Sequence, residues 1–345
     1  MPTPTQTKPD AVTSTTSKAS ATLRTAEHVF PGHPDKVTDQ ISDAVLDACL
    51  AVDPRSRTAV EVIGSHGTLL IGGEVTTTAD YDADAIARRV YAGLGYTAPL
   101  EIHHKLVKQS PEIAHGVDTG GAGDQGIMVG YATAETIELL PREVVLARQL
   151  AAALQEAGYG PDGKTQVTLR GDEIVSVTAS VQHAVEESLT EVRAKVEAVV
   201  AATLGEVPTV HANPAGEFTI GGFEADAGLT GRKIIVDQYG PQIPAGGGAF
   251  SGKDATKVDR SAAYMARKVA CDFVRAGADR ALVKIAYAIG VAEPVMVSAL
   301  VDDVERSVNG YDLRPAAIIE QLDLRKPIFE PTARAGHFGR GFAWD

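Results

Sequence analysis

The run GGGAFSGKDATKVDRS at residues 246–261 sets glycines, two lysines, an arginine and two acids within sixteen positions. Glycine lets the main chain approach a ligand closely, and Lys253, Lys257 and Arg260 put positive charge along the first turns of an expected helix. That mixture suits a polyphosphate held together with a metal; a glycine loop leading into a solvated helix face is the plainer alternative. Gly247, Gly252 and Lys253 also fit G-x-x-x-x-G-K, but Asp254 stands where a P-loop places the hydroxyl that reaches Mg2+. The strand expected before it, 233–237, ends well upstream with Pro241 and Pro244 between, so an ordinary P-loop is not expected.

Further constellations repeat the theme of cations beside glycines. Gly32-His33-Pro34-Asp35-Lys36 presents an imidazole, a carboxylate and an ammonium at a helix start, a place that favours anions, although Asp is also a good cap there. Asp39, Asp43 and Asp47 follow Asp35 at every fourth residue, which reads as a solvated stripe. Glu61 and Glu74 fall in adjoining expected strands, the second after two glycines that admit another backbone or a ligand. Asp124 in GGAGDQG is a turn former or a ligand contact. Asp162-Gly163-Lys164 reads as the turn opening a hairpin, and 171–174 as the turn within it. Asp226 precedes GLTGRKIIVD, where Arg232 and Lys233 suit phosphate oxygens at the mouth of the expected 233–237 strand, or form a basic strand end. No HExxH, zinc-spaced cysteine pair or G-x-S-x-G occurs, which fits a reaction without a protein nucleophile. Cations with a few carboxylates fit departure of a polyphosphate, with Mg2+ bridging acids to phosphate.

Periodicity gives the elements that must hold these groups. An amphipathic helix, a pair of alternating strands and a second helix recur three times. The spacing predicts a helix at 36–51, strands at 58–63 and 68–76 and a helix at 82–94. It repeats as a helix at 142–157, strands at 165–169 and 174–181 and a helix at 186–204. The third unit has a helix at 256–276, strands at 282–289 and 295–301 and a helix at 315–322. The expected fold class is therefore α+β, three similar repeats with largely antiparallel sheets in a pseudo-threefold arrangement. Boundaries are placed at 1–23 for a disordered tail, 24–110 for the first repeat, 111–126 for a short glycine-rich lid, 127–220 for the second repeat and 221–345 for the third.

Length and charge bound the rest. The 345 residues suffice for two or three domains, and a net charge of −13 argues against broad contact with nucleic acid while leaving room for a focused basic site. Cys49 and Cys271 sit in apolar helical patterns and read as core residues. The Thr-, Ser- and Pro-rich start is neither a signal peptide nor an anchor, and with no transmembrane-length run the expectation is a soluble, cytoplasmic protein without membrane contact.

In order from about residue 25 to 344, GHPDK, GGE, KQSP, GAGDQG, GLTGRKIIVD, GGGAFSGKD with KVDRSAAY, YAIGVAEP and GHFGR resemble the S-adenosylmethionine synthetases, or methionine adenosyltransferases. The resemblance implies an alkyl transferase of three similar α+β domains. It would join ATP to L-methionine by in-line attack of the thioether sulfur on ribose C5′, then hydrolyse tripolyphosphate to pyrophosphate and phosphate. A thioether has no proton to lose, so alignment and charge stabilisation suffice.

By that resemblance His33 is the catalytic histidine, and Arg232, Lys233 and Lys253 grip the triphosphate with Lys164 and Asp162 beside them. Phe218 stacks on adenine next to Ala249; Glu74, Gln109, Ile113, Asp226 and Lys257 form the methionine set, with Asp226 also near the nucleotide; Asp124 helps stabilise the sulfonium. Asp35 and Asp259 would bind two Mg2+, and Glu61 a K+. The family's shared sites imply a homodimer or homotetramer. Departures are Pro31 where the family has Glu, a run after Gln109 several residues shorter than usual, an abbreviated 96–108 connection and little sequence after GHFGR. Those departures keep open a paralogue accepting methionine analogues, a non-catalytic regulatory subunit of a full-length synthetase, and a tripolyphosphatase without adenosyl transfer.

Overall fold

The computed structural model describes residues 22–109 and 120–345. Ile113, most of the 111–123 run and all but the last two residues of the expected tail lie outside the described residues. In chain order the first part forms β1 (Leu23–Val29), α1 (Pro34–Leu50), β2 (Arg57–Ser65), β3 (Thr68–Thr76), α2 (Ala83–Gly93) and β4 (Glu101–Val107). There follow β5 (Gly126–Thr133), α3 (Arg142–Glu156), β6 (Gly163–Arg170), β7 (Glu173–Val181), α4 (Leu189–Leu204) and β8 (Val210–Ala212). The rest comprises β9 (Gly228–Leu229), α5 (Ile234–Asp237), α6 (Val258–Arg275), β10 (Arg280–Tyr287), β11 (Met296–Val301), β12 (Val304–Arg306), α7 (Pro315–Gln321) and α8 (Glu330–Ala335).

Local chemistry explains the repeated hairpins. Along β2, Val60 and Val62 are buried while Glu61 and Ile63 face out, the period of two that one covered face requires. His66 and Gly67, both at positive φ (43° and 73°), close β2 onto β3 in the primed turn whose twist matches the strands. Helix α4 starts on a capping box, Ser188 with Glu191, and α2 on the Asp82 carboxylate.

The three sheets run β4-β3-β2-β9, β1-β6-β7-β8 and β12-β11-β10-β5, antiparallel except for the parallel pairs β3–β4 and β7–β8. Three α+β repeats are thus present, each hairpin extended by a strand from elsewhere in the chain: β9, β1 and β5. Each sheet has its own apolar core, and Cys49 and Cys271 are buried as free thiols. Among the described residues no helix is long and apolar enough to cross a membrane.

Two expectations are overturned. Residues 233–237 are not a strand: the β-branched run Ile234-Ile235-Val236 forms the single helical turn α5, which turns Val236 and Asp237 inward. Nor is the Asp39, Asp43, Asp47 series a solvated stripe, because α1 is buried nearly all round. Asp39 accepts from Lys36 Nζ (3.1 Å) and from Gly231 N–H (2.9 Å), and Asp43 is locked to Arg260. Asp47 caps α8 by accepting from Phe329 N–H and Glu330 N–H.

Candidate functional site

The loop between β1 and α1 is fixed at every residue. Phe30 N–H donates to Gly163 O (2.9 Å), Gln40 Nε2 to Pro31 O (2.7 Å) and Tyr96 Oη to Gly32 O (2.6 Å). His33 then caps α1, its Nδ1 accepting from Asp35 N–H at 3.2 Å. A ring nitrogen that accepts carries no proton, so in the neutral imidazole the proton lies on Nε2. Burial, reinforced by Lys233, pushes the His33 pKa down to about 3, which keeps the ring neutral and Nε2 a donor. Asp35 accepts from Leu229 N–H (2.9 Å) and from Lys233 Nζ (2.5 Å), with Arg232 Nε 3.4 Å away. Burial alone would raise its carboxyl, but Lys233 and the Leu229 amide hold it below the usual range. Lys164, on β6 opposite Val29, and Asp226 lie near enough to act on the His33 ring. Lys36 is not presented beside them: it is buried between Asp39 and Asp237 (2.6 Å).

The glycine-rich loop docks along the β9 edge of β2. Val60 N–H donates to Gly252 O (3.0 Å), and Lys253 bridges to Ala59, the residue whose other register partner is Glu74. Gly252 has φ +81°, and a side chain there would meet Val60 O at 1.9 Å, so only glycine fits. At Gly248 a side chain would meet Asp259 Cγ at 2.3 Å, which leaves the backbone lying on that carboxylate. Lys253 Nζ donates to Asp259 Oδ2 (2.5 Å), and Ala249 packs against Gly231 beside Arg232. The two halves of the cation cluster therefore meet at Gly231–Ala249. Arg260, expected to face a ligand, is instead fully buried and donates to Asp43, Phe250 O and Lys253 O, holding the loop from behind. Lys257 Nζ rests on Asp254 Oδ2, which also accepts from Thr58 N–H (2.8 Å).

The remaining expected residues flank this cluster. Glu61 and Glu74 face outward from β2 and β3 and line one cavity of about 420 Å3 with Gly72 and Leu229. Gln109 is buried, its N–H donating to Thr76 Oγ1 (3.2 Å), and its Oε1 has no partner among the described residues. Asp124 is exposed with its carboxylate on its own neighbour's amide, Gln125 N–H (2.8 Å); its loop is pinned by Ala122 N–H to Val291 O (3.0 Å). Gly126, two residues on, packs beside Asp259.

Asp162 is buried and accepts from Gly222 N–H (2.9 Å); burial pushes its carboxyl up to about 6. Phe218 is half-buried, with its N–H donating to His183 Nε2 (3.1 Å) while His183 Nδ1 faces Ala184 O (2.9 Å). His183 and its neighbour Gln182, which accepts from Asp162 N–H, were not singled out by sequence reasoning. Their partners lie 20 and 35 residues away, and nothing in the local spacing marks them.

Within one chain the structure thus gathers His33, Asp35, Lys164, Arg232 and Lys233, while Lys253 and Asp259 pair with each other on the glycine-rich loop, four residues further along β2 and linked to the first group through Gly231 and Ala249. Asp162 and Phe218 stand on one side and Glu61, Glu74 and Gln109 on the other. Such an arrangement of fixed N–H donors, lysines and an arginine around two carboxylates can hold an extended polyanion and stabilise charge growing on it. Comparison with known protein families matches nearly the whole of the described chain, in three consecutive parts. Residues 21–116 match S-adenosylmethionine synthetase, N-terminal domain; 119–218 match S-adenosylmethionine synthetase, central domain; and 220–345 match S-adenosylmethionine synthetase, C-terminal domain.

Proposed function

The chain belongs to the S-adenosylmethionine synthetase family, and from that premise we propose that it joins ATP and L-methionine at the cation cluster around His33. The methionine sulfur attacks ribose C5′ in line and the C5′–O bond breaks, leaving both its electrons on tripolyphosphate. No proton moves at sulfur, which suits a site whose histidine is a neutral donor rather than a base. His33 Nε2–H stabilises the oxygen that gains charge, and Lys164, Arg232, Lys233 and Lys253 hold the rest of the chain of phosphates. Hydrolysis of the tripolyphosphate to pyrophosphate and phosphate follows at the same cluster. The observation that supports this reading best is the fixed His33 tautomer beside Lys233 and Asp35.

At the nucleotide end, Phe218 stacks on adenine next to Ala249, and Asp162 and Asp226 border it. For methionine, Lys257 meets the carboxylate, Glu74 and Asp226 the ammonium, and Gln109 and Ile113 the body, with Asp124 near the sulfonium.

Asp35 and Asp259 fit Mg2+: each is a hard oxygen donor set against a lysine of the proposed phosphate-binding group, Lys233 and Lys253. Mg2+ that takes most of its ligands from phosphate and water needs only one or two carboxylates. Mg2+ held there would supply positive charge against the phosphates. Glu61 offers an exposed carboxylate that fits K+ at the sheet face.

That face also suits a second copy of the chain. Ile63, Leu70 and Val107 are 44, 44 and 48 % exposed on the outer side of the β4-β3-β2-β9 sheet, the first two beside Glu61 and the third beside Glu74. A homodimer, or a tetramer built from it, would cover them and share the sites. Mass spectrometry of a reaction with ATP, methionine, Mg2+ and K+ tests the function. S-adenosylmethionine with equal pyrophosphate and phosphate is the expected result; phosphate release without sulfonium would make the chain a hydrolase instead.

A further inference from the structure

A cavity of about 250 Å3 opens where the start of β2, the loop after Lys253 and helix α7 come together. None of the residues assigned above to nucleotide, methionine or metal lines it. Its inner wall is aliphatic, from Leu50, Ile319 and Leu324, all buried. Its rim holds three arginines, Arg55, Arg57 and Arg325. In a chain of net charge −13 such a concentration is unusual.

The carboxylate in the described lining is already engaged. Asp254 is the one carboxylate among the described lining residues, and it accepts from Thr58 N–H, Thr256 N–H and Lys257 Nζ. Nearby Asp53 is taken up by Arg55 N–H and by Thr78. Arg325 donates to Pro54 O at 3.3 Å, and neither it nor Arg55 has a carboxylate partner among the described residues. Thr256, on the same wall, has a buried Oγ1 with no partner among them.

We propose that this cavity is a second binding site, for a small organic anion: a carboxylate on a short aliphatic body. The guanidinium fork of Arg325, with Arg55 beside it, matches a carboxylate in shape and charge. The aliphatic wall requires carbon atoms behind that head, which inorganic phosphate lacks. At ~30 Å3 per water the cavity holds on the order of eight water-sized atoms or groups, the size of hexanoate. The site goes beyond the proposed synthesis and does not depend on it. Its wall, Asp254 to Thr256, lies between Lys253 and Lys257, so a bound ligand touches the segment that positions both lysines.

Isothermal titration of the full chain with hexanoate, hexanamide and inorganic phosphate, each with and without saturating methionine, tests the proposal. Arg325→Met, which keeps the stem and removes the charge, and Ala316→Trp, which fills the cavity, are titrated in parallel after circular dichroism confirms folding. Saturable hexanoate binding that methionine does not displace, weakened about ten-fold or more in Arg325→Met, is expected. Hexanamide and phosphate should bind far more weakly. No saturable binding to the wild type would overturn the proposal, as would binding displaced by methionine and indifferent to Arg325→Met. Equal binding of hexanamide would reduce the site to an apolar pocket, and equal binding of phosphate to a simple anion site; either overturns the assigned class.

Discussion

Arg260 meets Asp43 in a two-point contact, Nη1 to Oδ1 at 2.6 Å and Nη2 to Oδ2 at 2.8 Å, with both side chains fully buried. The same guanidinium donates to Tyr264 Oη, to Thr332 Oγ1 and to two carbonyls of the glycine-rich loop. One residue thereby joins α1, α6, the loop bearing Lys253 and the C-terminal helix α8. Removing one partner of such a pair strands the other charge in a dry interior, at a cost of about 3–5 kcal/mol. Arg260→Met should lower the urea midpoint accordingly, and Asp43→Asn added to it should restore part of the loss. A double variant no more stable than Arg260→Met alone would contradict this.

Asp47 predicts a pH dependence of stability. Burial, opposed by the Glu330 and Phe329 amides it accepts from, pushes its carboxyl up to about 7 in the folded chain. The unfolded value is about 4. The folded state therefore binds this proton more tightly, and between those two values rising pH removes stability. Asp47→Asn lacks the proton and should lose less stability than the wild type as pH rises from 5 to 7.5. Urea midpoints at both values check it; parallel slopes for the two proteins would show that Asp47 does not titrate there.

His33 should leave no mark on the pH profile between 5 and 8, because its pKa is pushed down to about 3 and its proton stays on Nε2. A limb in that range that disappears in His33→Asn would assign the ring an acid–base role instead. Asn can still donate an N–H, so His33→Asn should keep more turnover than His33→Ala.

His183 holds the backbone of Phe218 by accepting its N–H and by donating from Nδ1 to Ala184 O. Its loss frees the half-buried ring without touching the cation cluster. His183→Ala should raise KM for ATP about ten-fold, on the order of the ~1–2 kcal/mol of one hydrogen bond and its orphaned partner, with kcat little changed. A fall in kcat at unchanged KM would place His183 in the chemistry.

The three helix–hairpin–helix units were legible because their signal is local: Val60 and Val62 alternate with Glu61 and Ile63, and helices such as α2 and α4 bury one face. Strand β4, EIHHKLV, escaped notice because only Ile102 and Leu106 pack against the core, each just partly buried, and the exposed His104 interrupts the alternation between them. Strand-like Ile234-Ile235-Val236 became a helical turn because Asp237 is drawn inward to Lys36, 201 positions away. Asp43 and Asp47 looked solvated for the same reason, since the groups that satisfy them lie 217 and 282 residues on. The cations at 32–36, 232–233 and 253–260 stood out by type beside glycine. Which of them face outward did not: Lys36 and Arg260 share the pattern of Lys233 and Lys253 yet turn into the core.

The most direct test of adenosyl transfer at His33 is the initial rate of S-adenosylmethionine formation by purified wild type and His33→Ala, with ATP, methionine, Mg2+ and K+ at saturation. Loss of one well-placed donor to a developing oxyanion predicts a product rate about 10²–10³-fold lower in the variant, with the fold intact by circular dichroism. Equal rates in the two proteins, or no sulfonium from the wild type, would contradict the account.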